Sequence, residues 1–298
     1  MAVAATGFFD GVHSGHLKVI RTLVSEARRR GEESLVLTFW PHPRAVLQNG
    51  ARELRLLSSL DEKTAFLKSL GVDKVEVLPF SREFAALTAR EYLSDVVMHR
   101  YGVTALVVGY DNRLGSDCLS GEALRSLGAE AGLDIIPVDE HRPQDGPVSS
   151  TVIRRLVSEG DVEAAARLLG REYPLHGTVV SGNRIGRTIG FPTANLQPSE
   201  PLKLIPGGGV YLTRVELRGD IYYGMTNIGT RPTVTGESAP LVIETNIFDF
   251  SEDIYGLPLG LAFLKRLREE RHFSSLDELK ARLADDKVEC MRLLDKVL

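Results

Sequence analysis

Two hydrophobic periodicities that do not suit a single sheet meet near residue 172. Before it, short apolar runs at residues 2–6, 34–39, 74–78, 105–108 and 134–137 alternate with amphipathic stretches at residues 15–30, 61–70, 89–101 and 121–131. In the first stretch Val19, Ile20, Leu23 and Val24 share one helical face. Such alternation predicts a parallel sheet covered by helices, with its ligand in a crevice at the carboxyl ends of the strands. A helical pattern follows over residues 152–169, with Asp161 a candidate cap for a second helix after Gly160. Beyond it, strand-like runs at 177–181, 209–217, 222–228, 241–248 and 259–264 are separated by Gly and Pro turns. That spacing predicts a closed or nearly closed antiparallel barrel. The chain ends in a helix with Ser275 and Glu278 at capping-box spacing and an apolar stripe of Leu276, Leu279, Leu283, Met291 and Leu294.

Composition narrows the function classes. The 298 residues suit one large domain or two ordinary ones, and 43% hydrophobic with 26% charged residues is a globular balance. A net charge of -4 gives no chain-wide case for nucleic acid or an anionic membrane as partner. No apolar run approaches the roughly 20 residues of a membrane span. The start lacks a basic segment followed by an apolar one, and Asp10 interrupts it, so the expected location is the cytoplasm. Cys118 and Cys290 match no metal spacing and read as reduced thiols or buried small hydrophobes.

Chemistry concentrates in two places. After the first run, the string TGFFDGVHSGH (6–16) opens a helix. A helix N-terminus offers free N–H groups to phosphate, and Gly15 lets the backbone approach it. His13 and His16 can donate hydrogen bonds where negative charge builds on an attacked phosphorus, and no protein nucleophile is needed. In VSSTVIR (148–154), Ser149 or Ser150 can cap a helix facing phosphates, with Arg154 adding a planar cation. The second place is GNRIGRTIGFPTAN (182–195). Its Gly182, Gly186 and Gly190 allow backbone to fold over a polyphosphate, and Arg187 adds charge. Thr193 and Asn195 offer neutral oxygens suited to Mg²⁺. This is no Walker A loop, since Gly-Lys-Ser/Thr is absent.

The string GFFDGVHSGH resembles the HxGH signature of nucleotidyltransferases, in the version found in prokaryotic bifunctional riboflavin kinase/FMN adenylyltransferases (FAD synthetases). TFWPHP (38–43) and VSSTVIR are similar to that family's second and third motifs. GRTIGFPTAN (186–195) looks like the riboflavin kinase signature, and GGVY (208–211), NIGTRPT (227–233), ETNIFDF (244–250), DIYG (253–256), Leu267-Arg268 and His272-Phe273 continue it in order.

The resemblance implies a doubly wound α/β nucleotidyltransferase domain over residues 1–171. It implies a six-stranded antiparallel β-barrel kinase with a terminal helix over residues 172–298. The implied reactions are phosphorylation of riboflavin to FMN and adenylylation of FMN to FAD, both using ATP and a divalent cation, Mg²⁺. Gly7, Phe8, Asp10, Gly15, Asp111, Ser149, Ser150, Thr151 and Arg154 are then the adenylyltransferase phosphate ligands around His13 and His16. Glu244 is the implied catalytic base of the kinase, with Thr193 and Asn195 as Mg-ATP ligands. A lone strand glutamate is ordinarily a solvated face, so only its motif singles Glu244 out. One loop departs from the pattern. In GYDNRLGSDCLSG (109–121), Cys118 stands where the family has arginine, and Asn112 and Leu114 replace aromatics. Three rivals follow: a kinase with an altered adenylyltransferase domain, transfer to another phosphate acceptor, and a non-catalytic flavin-binding regulator.

Overall fold

In a computed structural model the chain forms two compact units, Met1–Ser150 and Thr151–Leu298. The structure describes residues 1–47, 54–141, 146, 148–182, 185–230, 241–271 and 273–295.

The first unit is built on β1 (Ala2–Thr6), β2 (Glu33–Trp40), β3 (Lys74–Pro79), β4 (Val103–Gly109) and β5 (Asp134–Val138). All pair in parallel, in the order β3-β2-β1-β4-β5. Its helices are α1 (Ser14–Arg30), α2 (Pro43–Leu47), α3 (Leu60–Ser69), α4 (Arg82–Ala85), α5 (Ala89–Glu91) and α6 (Gly121–Ala131). Helix α5 runs on as a π-helical segment, Tyr92–Arg100.

Period-two alternation explains the two-sided burial. Ala2, Ala4, Leu35, Leu37 and Leu106 pack with Tyr92, Leu93, Val97 and Leu124. Val3, Ala5, Val36, Ala105 and Val107 pack with Ile20, Leu23 and Val24 of α1 and Leu67 of α3. The strand order reverses between β1 and β4, so the connections leaving their carboxyl ends turn to opposite faces of the sheet and leave a crevice there.

The second unit starts with α7 (Ser150–Glu159), apart from its first residue, and α8 (Val162–Leu169), which Asp161 caps by accepting from the Ala164 N–H at 2.9 Å. Then come β6 (Tyr173–Val180), α9 (Ile185–Thr188), β7 (Ala194–Pro198), β8 (Gly209–Leu217), β9 (Asp220–Thr230), β10 (Leu241–Ile247), β11 (Pro258–Arg268) and α10 (Leu276–Leu294). The six strands close an antiparallel barrel in the order β10-β7-β6-β11-β8-β9. Inside it, the hydroxyls of Thr213, Thr226 and Thr245 form a buried chain with links of 2.8 and 2.9 Å.

Helix α10 is tied to β11 by Arg268, whose Nε and Nη2 donate to the buried Asp286 carboxylate at 2.9 and 2.8 Å. Its capping differs from the sequence expectation in one half. Ser275 Oγ accepts from the Glu278 N–H, whereas the Glu278 carboxylate accepts from Ser274. The extra serine intercepts the returning carboxylate.

Candidate functional site

The first site is assembled at the β1/β4 crevice. Strand β1 ends at Thr6, and the chain turns through a 3-10 segment, Asp10–Val12, before α1 starts. The turn is tight enough to hold Phe9, Gly11 and Val12 at φ of 53°, 76° and 42°. A β-branched residue at positive φ persists only where its surroundings over-determine it. Here the bracing comes from Asp10. Its buried carboxylate accepts from the backbone N–H groups of Leu57 and Ser58 at 3.0 and 3.1 Å. Ser58 Oγ in turn accepts from the Gly11 N–H at 3.1 Å. The Asp10 carboxylate thus faces the segment before α3, and Asp10 does not line the phosphate-side cavity. Its backbone carbonyl accepts from Ser150 Oγ at 3.1 Å.

That cavity, of about 330 Å³, is lined by residues from β1, α1 and the ends of β4 and β5. It gathers Gly7, Phe8, His13, Gly15, His16, Asp111, Ser149 and Ser150 of the sequence expectation on one space. Thr151 and Arg154 belong to the second unit. His13 caps α1: its Nδ1 accepts from the His16 N–H at a long 3.4 Å. Occupied as an acceptor, Nδ1 leaves the proton of a neutral His13 on Nε2. The His16 ring stacks on His13 with centroids 3.7 Å apart and meets Phe9 edge-on at 5.2 Å. Burial holds the His16 imidazole well below its ordinary pKa, and the nearby His13 and Lys63 push the same way. His16 is therefore neutral at pH 7, with a buried Nδ1 that has no hydrogen-bond partner. A neutral imidazole still offers one N–H to a phosphate oxygen.

A second, apolar cavity of about 540 Å³ adjoins the first and shares Thr6, Gly7, Phe8, Asn112 and Arg113 with it. Its aromatic wall is Phe39, Phe80, Phe84 and Tyr92. Cys118 lines this apolar space and is absent from the first cavity. Leu114 is buried in the core, and Asn112 donates to the Thr6 carbonyl at 3.1 Å. Motif reading touched this wall only at Phe39, within TFWPHP, and gave it no role. A signal for it was present, because Phe39 and Phe80 sit at or just past the carboxyl ends of β2 and β3, where a parallel sheet meets its ligand.

The second unit carries the other motif set. Glu244 on β10 stands opposite Asn195 of β7 on one side and Asn227 of β9 on the other. Directly opposed residues of antiparallel strands share a sheet face. Thr245 points into the barrel, so alternation turns Glu244, Asn195 and Asn227 outward. Glu244 is half-buried and Asn195 buried. Arg187 and Thr193 line a small cavity of about 60 Å³ with Phe250 and Tyr255, close in sequence to this row. Close approach bears on two glycines, against a side chain at Gly182 and against backbone at Gly186. A Cβ on Gly182 would lie 2.2 Å from the Asn195 amide nitrogen, and one on Gly186 would lie 2.2 Å from the Phe191 carbonyl oxygen. Gly190 takes φ 86°. Asn183, Arg184, residues 231–233 and His272 lie outside the described residues.

Residues 1–152 match the family model for FAD synthetase, and residues 169–294 that for riboflavin kinase. The bifunctional riboflavin kinase/FMN adenylyltransferase of Bacillus subtilis is 36% identical, covering 98% of this chain and 92% of its own. That of Escherichia coli K12 is 38% identical, covering 96% and 90%. A crystal structure described as a macrolide-efflux protein from Streptococcus pneumoniae superposes with a TM-score of 0.89 at 34% identity, over 96% of this chain and 92% of that one. Among the described residues no helix is long and apolar enough to cross a membrane.

Proposed function

The chain belongs to the bifunctional riboflavin kinase/FMN adenylyltransferase family, and we propose how its residues divide the family's two reactions. It is an enzyme that phosphorylates riboflavin to FMN with ATP and adenylylates FMN to FAD with release of pyrophosphate. We assign adenylylation to residues 1–171 and phosphorylation to residues 172–298.

The observation that carries the first assignment is the pair of adjoining cavities. One mixes polar and apolar groups, is built on a helix N-terminus, and suits a polyphosphate; the other is aromatic and suits a fused flavin ring. Their shared border sets the FMN phosphate beside the ATP phosphates. An oxygen of FMN attacks the α-phosphorus of ATP, the bond from that phosphorus to the bridging oxygen breaks, and pyrophosphate leaves. His13 and His16 donate to phosphate oxygens as charge builds, while Gly15, Ser149 and Ser150 offer backbone and hydroxyl groups.

In the kinase reaction the primary hydroxyl of riboflavin attacks the γ-phosphorus of ATP, and ADP leaves. Glu244 orients that hydroxyl and accepts its proton. The outward row of Asn195 and Glu244 supports this role, as does the glycine-dependent backbone over Asn195.

The residues fit a magnesium ion carried on the nucleotide. Among the described residues there is no cluster of three or more His, Cys, Asp or Glu able to hold a metal unaided. Thr193 and Asn195 instead supply neutral oxygens, which complement an ion already bound to phosphates. When bound, Mg²⁺ would neutralise phosphate charge in both reactions. With small soluble substrates and a net negative chain, the reading gives no role to nucleic acid or membrane and a cytoplasmic location.

Mass spectrometry of products from riboflavin and Mg-ATP tests the whole reading. FMN followed by FAD is expected. FMN alone would indicate an altered adenylyltransferase domain, and neither product would leave the regulator reading.

A further inference from the structure

One buried cation of the first unit has no part in the scheme above. Lys63, on α3, is 2% exposed. Its Nζ donates to the Phe8 carbonyl at 2.9 Å and to Thr38 Oγ1 at 2.9 Å. Thr38 Oγ1 also donates to the Phe8 carbonyl, at 3.2 Å, so the three groups form a closed triangle. The ammonium lies 4.1 Å from the centroid of the Phe8 ring, which packs T-shaped with His42 at 4.1 Å between centroids. Burying an ammonium is costly, and an apolar side chain of the same length would fill this place more cheaply. A group kept against that cost is a candidate for function.

What Lys63 holds is the border between the two cavities, since Phe8 lines both. The Trp40–Pro41 bond is the one cis peptide among the described residues, so the Phe8–Phe9 peptide is trans. In a trans peptide the N–H points opposite to the C=O. Fixing the Phe8 carbonyl on Lys63 therefore fixes the direction of the N–H of Phe9, a residue that lines the phosphate-side cavity. It also fixes where the chain enters the strained turn that ends in His13.

We propose that Lys63 is a positioning residue for nucleotidyl transfer, holding the Phe8–Phe9 peptide that divides the phosphate-side cavity from the aromatic one. The inference rests on adenylylation taking place across these two cavities. It concerns alignment of donors with the reacting phosphates, so its signature lies in kcat. Misplacement of about 1 Å costs up to about 100-fold in rate.

The test uses the full-length enzyme with Lys63→Met, which keeps length and removes charge and donor. FAD formation from supplied FMN and Mg-ATP is measured with kcat and KM separated, beside riboflavin phosphorylation and thermal unfolding. The expected result is a fall in FAD-forming kcat of about tenfold or more, with KM for ATP changed by less than about threefold. The melting temperature is expected to be unchanged or raised, and the kinase rate unchanged. A purely structural lysine would instead lower the melting temperature. A variant with normal FAD formation, or with both activities lost and a lowered melting temperature, overturns the proposal. Thr38→Val removes the second anchor at constant volume and is expected to lower kcat the same way, with the double variant no worse than Lys63→Met. Additive losses overturn the shared role. His16→Ala is measured in parallel: if it leaves FAD formation intact, the cavity assignment itself fails. If His16→Ala is inactive and Lys63→Met is normal, only the Lys63 proposal falls.

Discussion

The imidazole rings of His13 and His16 lie face to face, with 3.7 Å between centroids and 15° between planes. Two cations at that spacing would repel, so the stack favours neutral rings. Burial adds to this and holds His16 well below the ordinary 6.5. Between the folded value and 6.5 the unfolded chain binds more protons than the folded one. The stability contributed by neutral His16 is therefore present above about 6.5 and is lost as pH falls toward the folded value. Urea unfolding at pH 5 and pH 7 is expected to show a larger acid loss for the parent than for His16→Asn. Equal losses would contradict a neutral, buried His16.

Lys63 titrates at about 8, pushed down from 10.5 by burial, with the Asp10 carboxylate partly opposing. Asp10 and His16 are the charged or titratable groups that interact with it electrostatically. From pH 8 to 10.5 the unfolded chain holds the extra proton, so this residue's contribution to stability rises across that window, by up to about 3 kcal/mol. Lys63→Met is expected to lack the rise. Parallel stability curves for the two proteins between pH 8 and 10 would count against it.

Much of the fold was legible because its signals are local and repeated. The five apolar runs of the first half became β1 to β5, although the edge strand β3 buries only Leu78, and the amphipathic face of Ile20, Leu23 and Val24 became the packed side of α1. Strand β7 escaped because Ala194–Pro198 follows a Gly- and Pro-rich loop and is short. The helix expected over 89–101 is only three α-helical residues before its hydrogen bonding shifts to the π pattern at Tyr92, which no periodicity marks. Within the site, Gly7, His13 and His16 could be read from a motif. Asp10 was placed among the phosphate ligands, whereas the structure points its carboxylate at the Leu57 and Ser58 backbone. Lys63 and the wall residues Phe80, Phe84 and Tyr92 were not read, since they meet the motif only through long-range packing.

Cys118 gives a third expectation. It stands where the related family carries arginine, and Cys118→Arg restores that side chain. The thiol borders the aromatic cavity and not the phosphate-side one, so the change is expected in KM for FMN, by several-fold, with KM for ATP steady. Steady-state kinetics with each substrate varied decides it. A shift confined to ATP would place the side chain's influence on the other cavity.

Truncation is the fourth. Helix α8 packs on β6 and β11 and buries Val162, Ala165, Leu168 and Leu169. A fragment of residues 172–298 retains every barrel motif and is expected to make FMN. Without α8 it is expected to be less stable than residues 151–298 by several kcal/mol, at about 1.5–3 kcal/mol per large apolar side chain re-exposed. Equal unfolding midpoints for the two fragments would show that α8 contributes little to the barrel.

Two separable sites on one chain are the core of the account, and a product time course on two single variants tests them most directly. Chromatography would follow FMN and FAD from riboflavin with Mg-ATP, and FAD from supplied FMN. His16→Ala is expected to accumulate FMN and to lose FAD formation by about 100-fold or more, as removal of a positioned transition-state donor does. Glu244→Gln is expected to lose FMN formation by a similar factor, through loss of its general base, while still converting supplied FMN to FAD. Loss of both reactions in either variant, with the protein still folded, would contradict the two-site account.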